Sequence, residues 1–477
     1  MLTIKKIYQK YFIQFSLFIL ILKTAYITFF KNRSGDYGFY ERIANGIVNG
    51  CGYAVQSNDG NCIPVVGHYM PGFHYLMSIF YFFGFDAKLF LIFIAILHFF
   101  ASLFLFYVIK KYKKDIKLAK ILFILLILSP LTFGFNRLLL METLITVFSI
   151  LFLALTIKIY YEGFKLSNNI SVLSLIILSL YIKPTGILFA IPFIILFFSK
   201  LGFKEIMNNI IISSLIVVIS VSPWGIRNLS QGASSPFTSF LESSFFPKHS
   251  DGYLNWLSTW VVTEHEQASN GFIVWRPPFK MNLKKNNINP FISDKELNQI
   301  RTKYNEQVVF TKEDNDYFND LAAKRRKELG IIGNTALHTT KIVSLIFNPL
   351  NSWGWPIEVS KSQDIKSNSD NLRNFIELDL LKNLSLKFLL FIYRVLLFIP
   401  FFKITINSLK VNHYNELDNI IIRSSFLLLL GILYLISIHY PSLEHRFLSV
   451  SIPWIETSFL ISLNSNKKKV NSFEKNL

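Results

Sequence analysis

Apolar residues in this chain gather into runs near ~20 residues long, each about enough for a helix to cross a hydrocarbon core of ~30 Å. Such runs occupy 11–30, 88–109, 119–135, 142–161 and 208–224, then 386–402, 420–438 and 448–463. A shorter pair, 170–182 and 186–199, is separated by Lys183 and Pro184, where proline cannot donate a helical hydrogen bond. The pattern predicts an all-α polytopic membrane protein of about ten spans, nine to eleven by the length of the shorter runs. Hydrophobic residues at 52% and charged residues at 17% exclude a soluble enzyme, since an ordinary soluble domain carries roughly 25% charge.

The formal charge is +19, and its placement decides its meaning. Lys5, Lys6 and Lys10 precede the first run, Lys110, Lys111, Lys113 and Lys114 follow the second, Lys200 and Lys204 precede the seventh, and Lys467, Lys468 and Lys469 close the chain. Basic residues at alternate span ends set membrane orientation rather than a nucleic-acid surface, and put both termini in the cytoplasm. Three regions follow. Residues 1–227 form an N-terminal transmembrane half with an external loop at 31–87, residues 228–385 an external domain, and residues 386–477 the last spans and a cytoplasmic tail. Abundant Lys, Asn and Ile suggest a bacterial plasma membrane.

The external loop holds the readable chemistry. Asp36 stands just outside the first span, and Tyr40, Ile43, Ala44, Ile47 and Val48 follow at helical spacing, which predicts an interfacial amphipathic helix. A second surface helix is predicted from Pro71 and Gly72 to Gly84. The only cysteines, Cys51 and Cys62, fall on the oxidising side, so a disulfide is expected there, with two unpaired thiols as the alternative. Asp36 by itself also suits a helix N-cap. Glu142, at the head of an apolar run, is costly unless it faces a polar cavity, although a helix N-terminus favours a negative charge. Arg137, Lys183, Arg227 and Arg446 are all expected near the outer face, where anchoring to headgroups is the plain alternative to a binding role. Lys23 is expected to snorkel outward and His98 to be satisfied between helices. The histidines make no metal-binding motif, and no phosphate-binding glycine loop is present. The external tryptophans Trp256, Trp260 and Trp275 suit a small core as well as a sugar-stacking surface.

The ordered set Asp36, Tyr40, Ala44, Gly50, Gly52, Tyr53 and Pro71–Gly72 resembles the first external loop of the membrane-embedded glycosyltransferases of the C-type fold. The subgroup is that of the dolichyl-phosphate-mannose protein mannosyltransferases and bacterial lipid A aminoarabinose transferases. Arg137 with Glu142 resembles their second acidic loop, Lys183 to Gly186 a basic-Pro turn, and Ser222, Pro223, Trp224, Arg227 and Asn228 the signature closing the shared half. The stretch 316–329 leading to Trp353, and Glu444 to Phe447 before Pro453, resemble later elements, with Phe447 in place of the usual Tyr. Tyr37 stands where many members have a second acidic residue.

The resemblance implies transfer of a hexosyl or pentosyl group, with inversion, from a polyprenyl-phosphate donor to a glycan, lipid or protein acceptor on the external face. Asp36 would act as base with Glu142 as a second catalytic residue, and Arg227, Lys183, Arg137 and Arg446 would bind the donor phosphate, Arg227 first. Tyr40, Tyr53 and His68 would support the loop. No metal site and no cofactor are expected, and no nucleic-acid partner. A transporter or flippase would show inverted repeats, which are not found, and an O-antigen ligase or polymerase would lack the Asp36 loop.

Overall fold

The computed structural model describes residues 2–29, 37–56, 59–65, 70–231, 250–263, 266–267, 270, 279–280, 283–285, 289–304, 307–308, 310–347, 369–410, 414–435 and 445–474. Helix α1 (Leu2–Phe29) leads to α2 (Tyr37–Val48), the hairpin β1 (Ala54–Gln56) and β2 (Cys62–Pro64), and α3 (Gly72–Phe82). Then come α4 (Ala87–Val108), α5 (Ile116–Leu128), α6 (Glu142–Glu162), α7 (Leu166–Ile182), α8 (Ala190–Lys200) and α9 (Phe203–Ser230). The middle region holds α10 (Asp251–Leu257), β3 (Phe279–Lys280), α11 (Asp294–Lys303), β4 (Gln307–Val308) and α12 (Lys312–Phe347). Three helices end the chain: α13 (Ser369–Ser408), α14 (Glu416–Tyr434) and α15 (Ile452–Glu474).

Six helices among the described residues are long and apolar enough to cross a membrane: Tyr11–Phe29, Ala87–Lys113, Glu142–Glu162, Phe203–Ser230, Ser385–Ser408 and Glu416–Tyr434. The other four runs take different forms. The expected span at 119–135 ends at Leu128, because Pro130 follows and disfavours helix at the residue before it; Phe133–Arg137 then forms a short 3₁₀ turn. The pair at 170–199 becomes Leu166–Ile182, a 3₁₀ turn Pro184–Phe189, and α8. The final run divides into a 3₁₀ turn His445–Val450 and α15. Pro223 lies inside a helix that continues to Ser230.

Helix α6 is the axis of the bundle. Its sequence is apolar around its whole circumference, and such a helix is stable only when enclosed. Thr156 bonds the Phe152 carbonyl of its own helix at 2.9 Å, and Ser149 reaches across to the Val450 carbonyl at 2.7 Å. The break after α7 is tight: Gly186 lies so close to Ser179 that a Cβ would sit 2.6 Å from its backbone carbon. Only glycine allows the chain to fold back there.

The first loop packs as one layer on the ends of α7 and α9. Tyr40, Ile43 and Ala44 of α2 are buried, giving the predicted amphipathic helix its inner face. Gly46 has the Ala54 carbonyl oxygen 2.1 Å from where its Cβ would be, so the hairpin rests directly on α2. Cys51 and Cys62 are joined by a disulfide beside the pairing Gln56↔Cys62. Helix α3 crosses α7 with Gly72 against the Tyr181 backbone.

The middle region has its own core. Tyr253 and Trp256 of α10 pack on Phe318 of α12, and Trp260 packs on Trp256. Gly252 lets α10 approach the Asn315 carbonyl. Arg325 binds Glu296, Thr259 and the Phe291 carbonyl, so this buried cation is fully engaged. Trp256 and Trp260 are core residues here, and Trp275 and Trp353 lie outside the described residues.

Candidate active site

The start of α6, the break between α7 and its 3₁₀ turn, and the turn before α15 converge. Each contributes one charged side chain. Glu142, the first residue of α6, is buried. Its Oε1 accepts from Lys183 Nζ at 2.7 Å and lies 3.7 Å from Arg446 Nε. Lys183 stands at the C-cap of α7 in extended backbone, which turns its side chain across the bundle toward α6. Phe447 lies beneath, with its ring centroid 3.9 Å from Lys183 Nζ and 5.6 Å from the Arg446 guanidinium carbon.

Among the described residues, two cations face this one carboxylate. Glu142 Oε2 is buried with no hydrogen-bond partner among the described residues. A buried carboxylate is tolerated only when paired, and here one carboxylate oxygen draws two cations to the same place. Among the described residues, no three His, Cys, Asp or Glu side chains gather closely enough to hold a metal ion.

Arg137 ends the 3₁₀ turn five positions before Glu142 and is buried, hydrogen-bonded to the Tyr26 hydroxyl of α1. Arg227 has a different setting. Its Nη1 donates to the Val65 carbonyl at 2.5 Å and to Asn228 Oδ1 at 3.1 Å, and its Nη2 to the Tyr53 carbonyl at 2.9 Å. The Trp224 and Tyr53 rings stack near the guanidinium at 5.0 and 5.5 Å. The planar fork matches two carbonyls of one hairpin, which a lysine could not do. Arg227 therefore ties α9 to the first loop.

Tyr40 and Tyr53 pack around His74, with ring centroids 5.2 and 5.4 Å away, and the Tyr53 hydroxyl lies 2.9 Å from His74 Nδ1. Burial holds the Tyr53 phenol well above its usual range and lowers His74 to about 3. His74 was not singled out in the sequence, where it is one of nine histidines without motif spacing. Asp36 and His68 lie outside the described residues; α2 opens at Tyr37, directly after Asp36.

Two further buried polar groups lie within the bundle, and the first departs from sequence expectation. Lys23 does not snorkel: it is fully buried, with Nζ 2.9 Å from His98 Nδ1. His98 is the interhelical residue expected, and its partner supplies the reason. Glu456 in α15 accepts from Ser129 Oγ at 2.5 Å and the Tyr393 hydroxyl at 2.7 Å. The signal for it was present, a lone carboxyl inside an apolar run.

No family model and no curated protein matches this chain. Among solved structures it is similar to the archaeal oligosaccharyltransferase AglB from Archaeoglobus fulgidus, in complex with an inhibitory peptide and a dolichol-phosphate, at 12% identity and a TM-score of 0.42. The alignment covers 97% of this chain and 52% of that one, so the chain spans about half the length of that enzyme.

Proposed function

We propose that this protein is a membrane glycosyltransferase of the C-type fold that moves a sugar, with inversion, from a polyprenyl-phosphate donor to an acceptor at the outer face of a plasma membrane. The observation that carries this reading is the Glu142–Lys183–Arg446 group, which gathers an ammonium and a guanidinium from separate elements around one buried carboxylate. A departing polyprenyl phosphate gains negative charge as its bond to the anomeric carbon breaks. Ammonium and guanidinium groups held in a low-dielectric site stabilise that charge without having to reorganise. Glu142 positions both cations in this scheme.

Asp36 is the proposed base. It takes the proton of the acceptor hydroxyl, the acceptor oxygen bonds to the anomeric carbon from the face opposite the phosphate, and the phosphate leaves with both electrons of the broken C–O bond. Lys183 and Arg446 take precedence over Arg227 as phosphate ligands, because the Arg227 fork already serves the Val65 and Tyr53 carbonyls. Arg137 is the third candidate. Glycans, lipids and protein hydroxyls are all acceptors compatible with this chemistry, and the sugar is a hexose or pentose.

Incubating the purified protein in lipid with defined polyprenyl-phosphate sugars and candidate acceptors tests the reading. Release of polyprenyl phosphate, reduced by Lys183→Met and by Arg446→Met, is expected. Uptake or flipping of the intact donor without its cleavage would replace the enzyme with a transporter.

A further inference from the structure

Helix α12 is two different helices joined at Gly330, whose backbone (φ 60, ψ −168) leaves the helical region. The first part, 312–329, is dense in charge: Lys312, Glu313, Asp314, Asp316, Asp320, Lys324, Arg325, Arg326, Lys327 and Glu328. The second part, 331–347, contains one Lys, no Arg, Asp or Glu, and one His. This second part buries Leu337, Leu345 and Ile346 on one side, and its only Lys with them. Lys341 is buried, and its Nζ donates to the Ser258 carbonyl at 2.5 Å. Ile331 and Ile332 are 88% and 86% exposed and Val343 is 51% exposed. Ile332, Ala336, Thr339 and Val343 recur at four-, three- and four-residue steps, so the exposed stripe is one continuous face without a charge. On a helix in water the charge would face out and the isoleucines in.

We propose that residues 331–347 lie in the outer leaflet of the bilayer and anchor the middle region of the chain to acyl chains through this stripe. The occupant follows from continuity. Phe347 packs on Phe398 of α13, ring centroids 6.2 Å apart, within the segment Ser385–Ser408 that is apolar enough to span. Leu389, Leu396, Ile399 and Ile406 expose the outer face of that same segment. The stripe thus extends the surface that α13 presents to lipid. Burying Lys341 on a carbonyl removes the one group that would resist insertion, and Gly330 allows the change of direction where the charged part leaves for water.

The test uses the disulfide-intact full chain, whose two native cysteines are bonded, so that one introduced cysteine is the only free thiol. Ile332→Cys, Val343→Cys and, as an aqueous reference, Lys327→Cys are labelled with a nitroxide. The protein is reconstituted in phosphatidylethanolamine–phosphatidylglycerol vesicles, and relaxation by oxygen is compared with relaxation by a water-soluble nickel chelate. Sites 332 and 343 are expected to favour oxygen several-fold over site 327. Nickel access equal to that at 327 overturns the proposal. So does an immobilised label reached by neither reagent, which would mean that a second copy or another protein covers the stripe. Should either variant fail to fold, Ala336→Cys on the same face takes its place.

Discussion

Replacing Glu142 by Gln removes the one anion from a group of two cations. At an effective dielectric near 20, a unit charge 2.7 Å from Lys183 and 3.7 Å from Arg446 gains roughly 6 and roughly 4.5 kcal/mol of attraction. Desolvation of the buried carboxylate offsets several kcal/mol of that sum, so the net cost of Glu142→Gln is expected near the ~3–5 kcal/mol found on breaking buried pairs. Lys183→Met alone costs less, because Glu142 keeps Arg446. In the Glu142→Gln background the sign reverses: removing Lys183 now separates two like charges and should restore stability. A coupling of at least ~2 kcal/mol is expected between the two sites. Thermal unfolding of the four proteins in one detergent measures it. Equal losses on Lys183→Met in both backgrounds would refute the charge argument and reduce the group to packing.

The other predictions rest on separate observations. Asp36→Asn should lower transfer by roughly 10²-fold or more while expression is kept, the scale expected for loss of a general base, and turnover near the wild-type rate would move the base elsewhere. Arg227→Lys loses one of two charge-assisted bonds to the hairpin carbonyls, at ~1.5–3 kcal/mol; the unfolding midpoint should fall before any change in donor KM. Cys51→Ser with Cys62→Ser should cost up to about 3 kcal/mol on the chain-entropy scale, read as a midpoint shift that a reductant reproduces in the wild type. Burial holds His74 at about 3, so the folded protein keeps it neutral where the unfolded chain, near 6.5, takes up a proton. Stability therefore falls as pH drops below ~6.5, by roughly 2 kcal/mol at pH 5. His74→Phe should flatten that slope between pH 7 and 5.

Legibility in the sequence followed the range of the interaction. Runs at 88–109 and 142–161 became α4 and α6 within a few residues, because a span's length is set by the bilayer and not by its neighbours. The Lys183–Pro184 break and the amphipathic α2 were equally readable, being local. Partners far apart were not. Lys23 reads as a snorkelling residue until His98, 75 positions on, is placed against it. Nothing near Arg227 in the sequence says that its guanidinium holds the carbonyls of Tyr53 and Val65, 174 and 162 positions away. The charges of the candidate site were named in the sequence, but nothing there says that Lys183 and Arg446 share one carboxylate, since their three elements meet only in the assembled bundle.

The Glu456 group also bears on how the protein is made. Ser129 and Glu456 are separated by 327 positions, which a ribosome covers in roughly 20–60 s. During that interval Ser129 and the polar end of α5 stand in the membrane without their partner. Ser149 waits likewise for the Val450 carbonyl, and Asp115 for Asn464, whose amide reaches it at 2.7 Å. The last helix thus arrives as a keystone for contacts begun by early ones. A chain that stops short of residue 456 would leave the Ser129 and Tyr393 hydroxyls without the carboxylate they share, and Asp115 without Asn464.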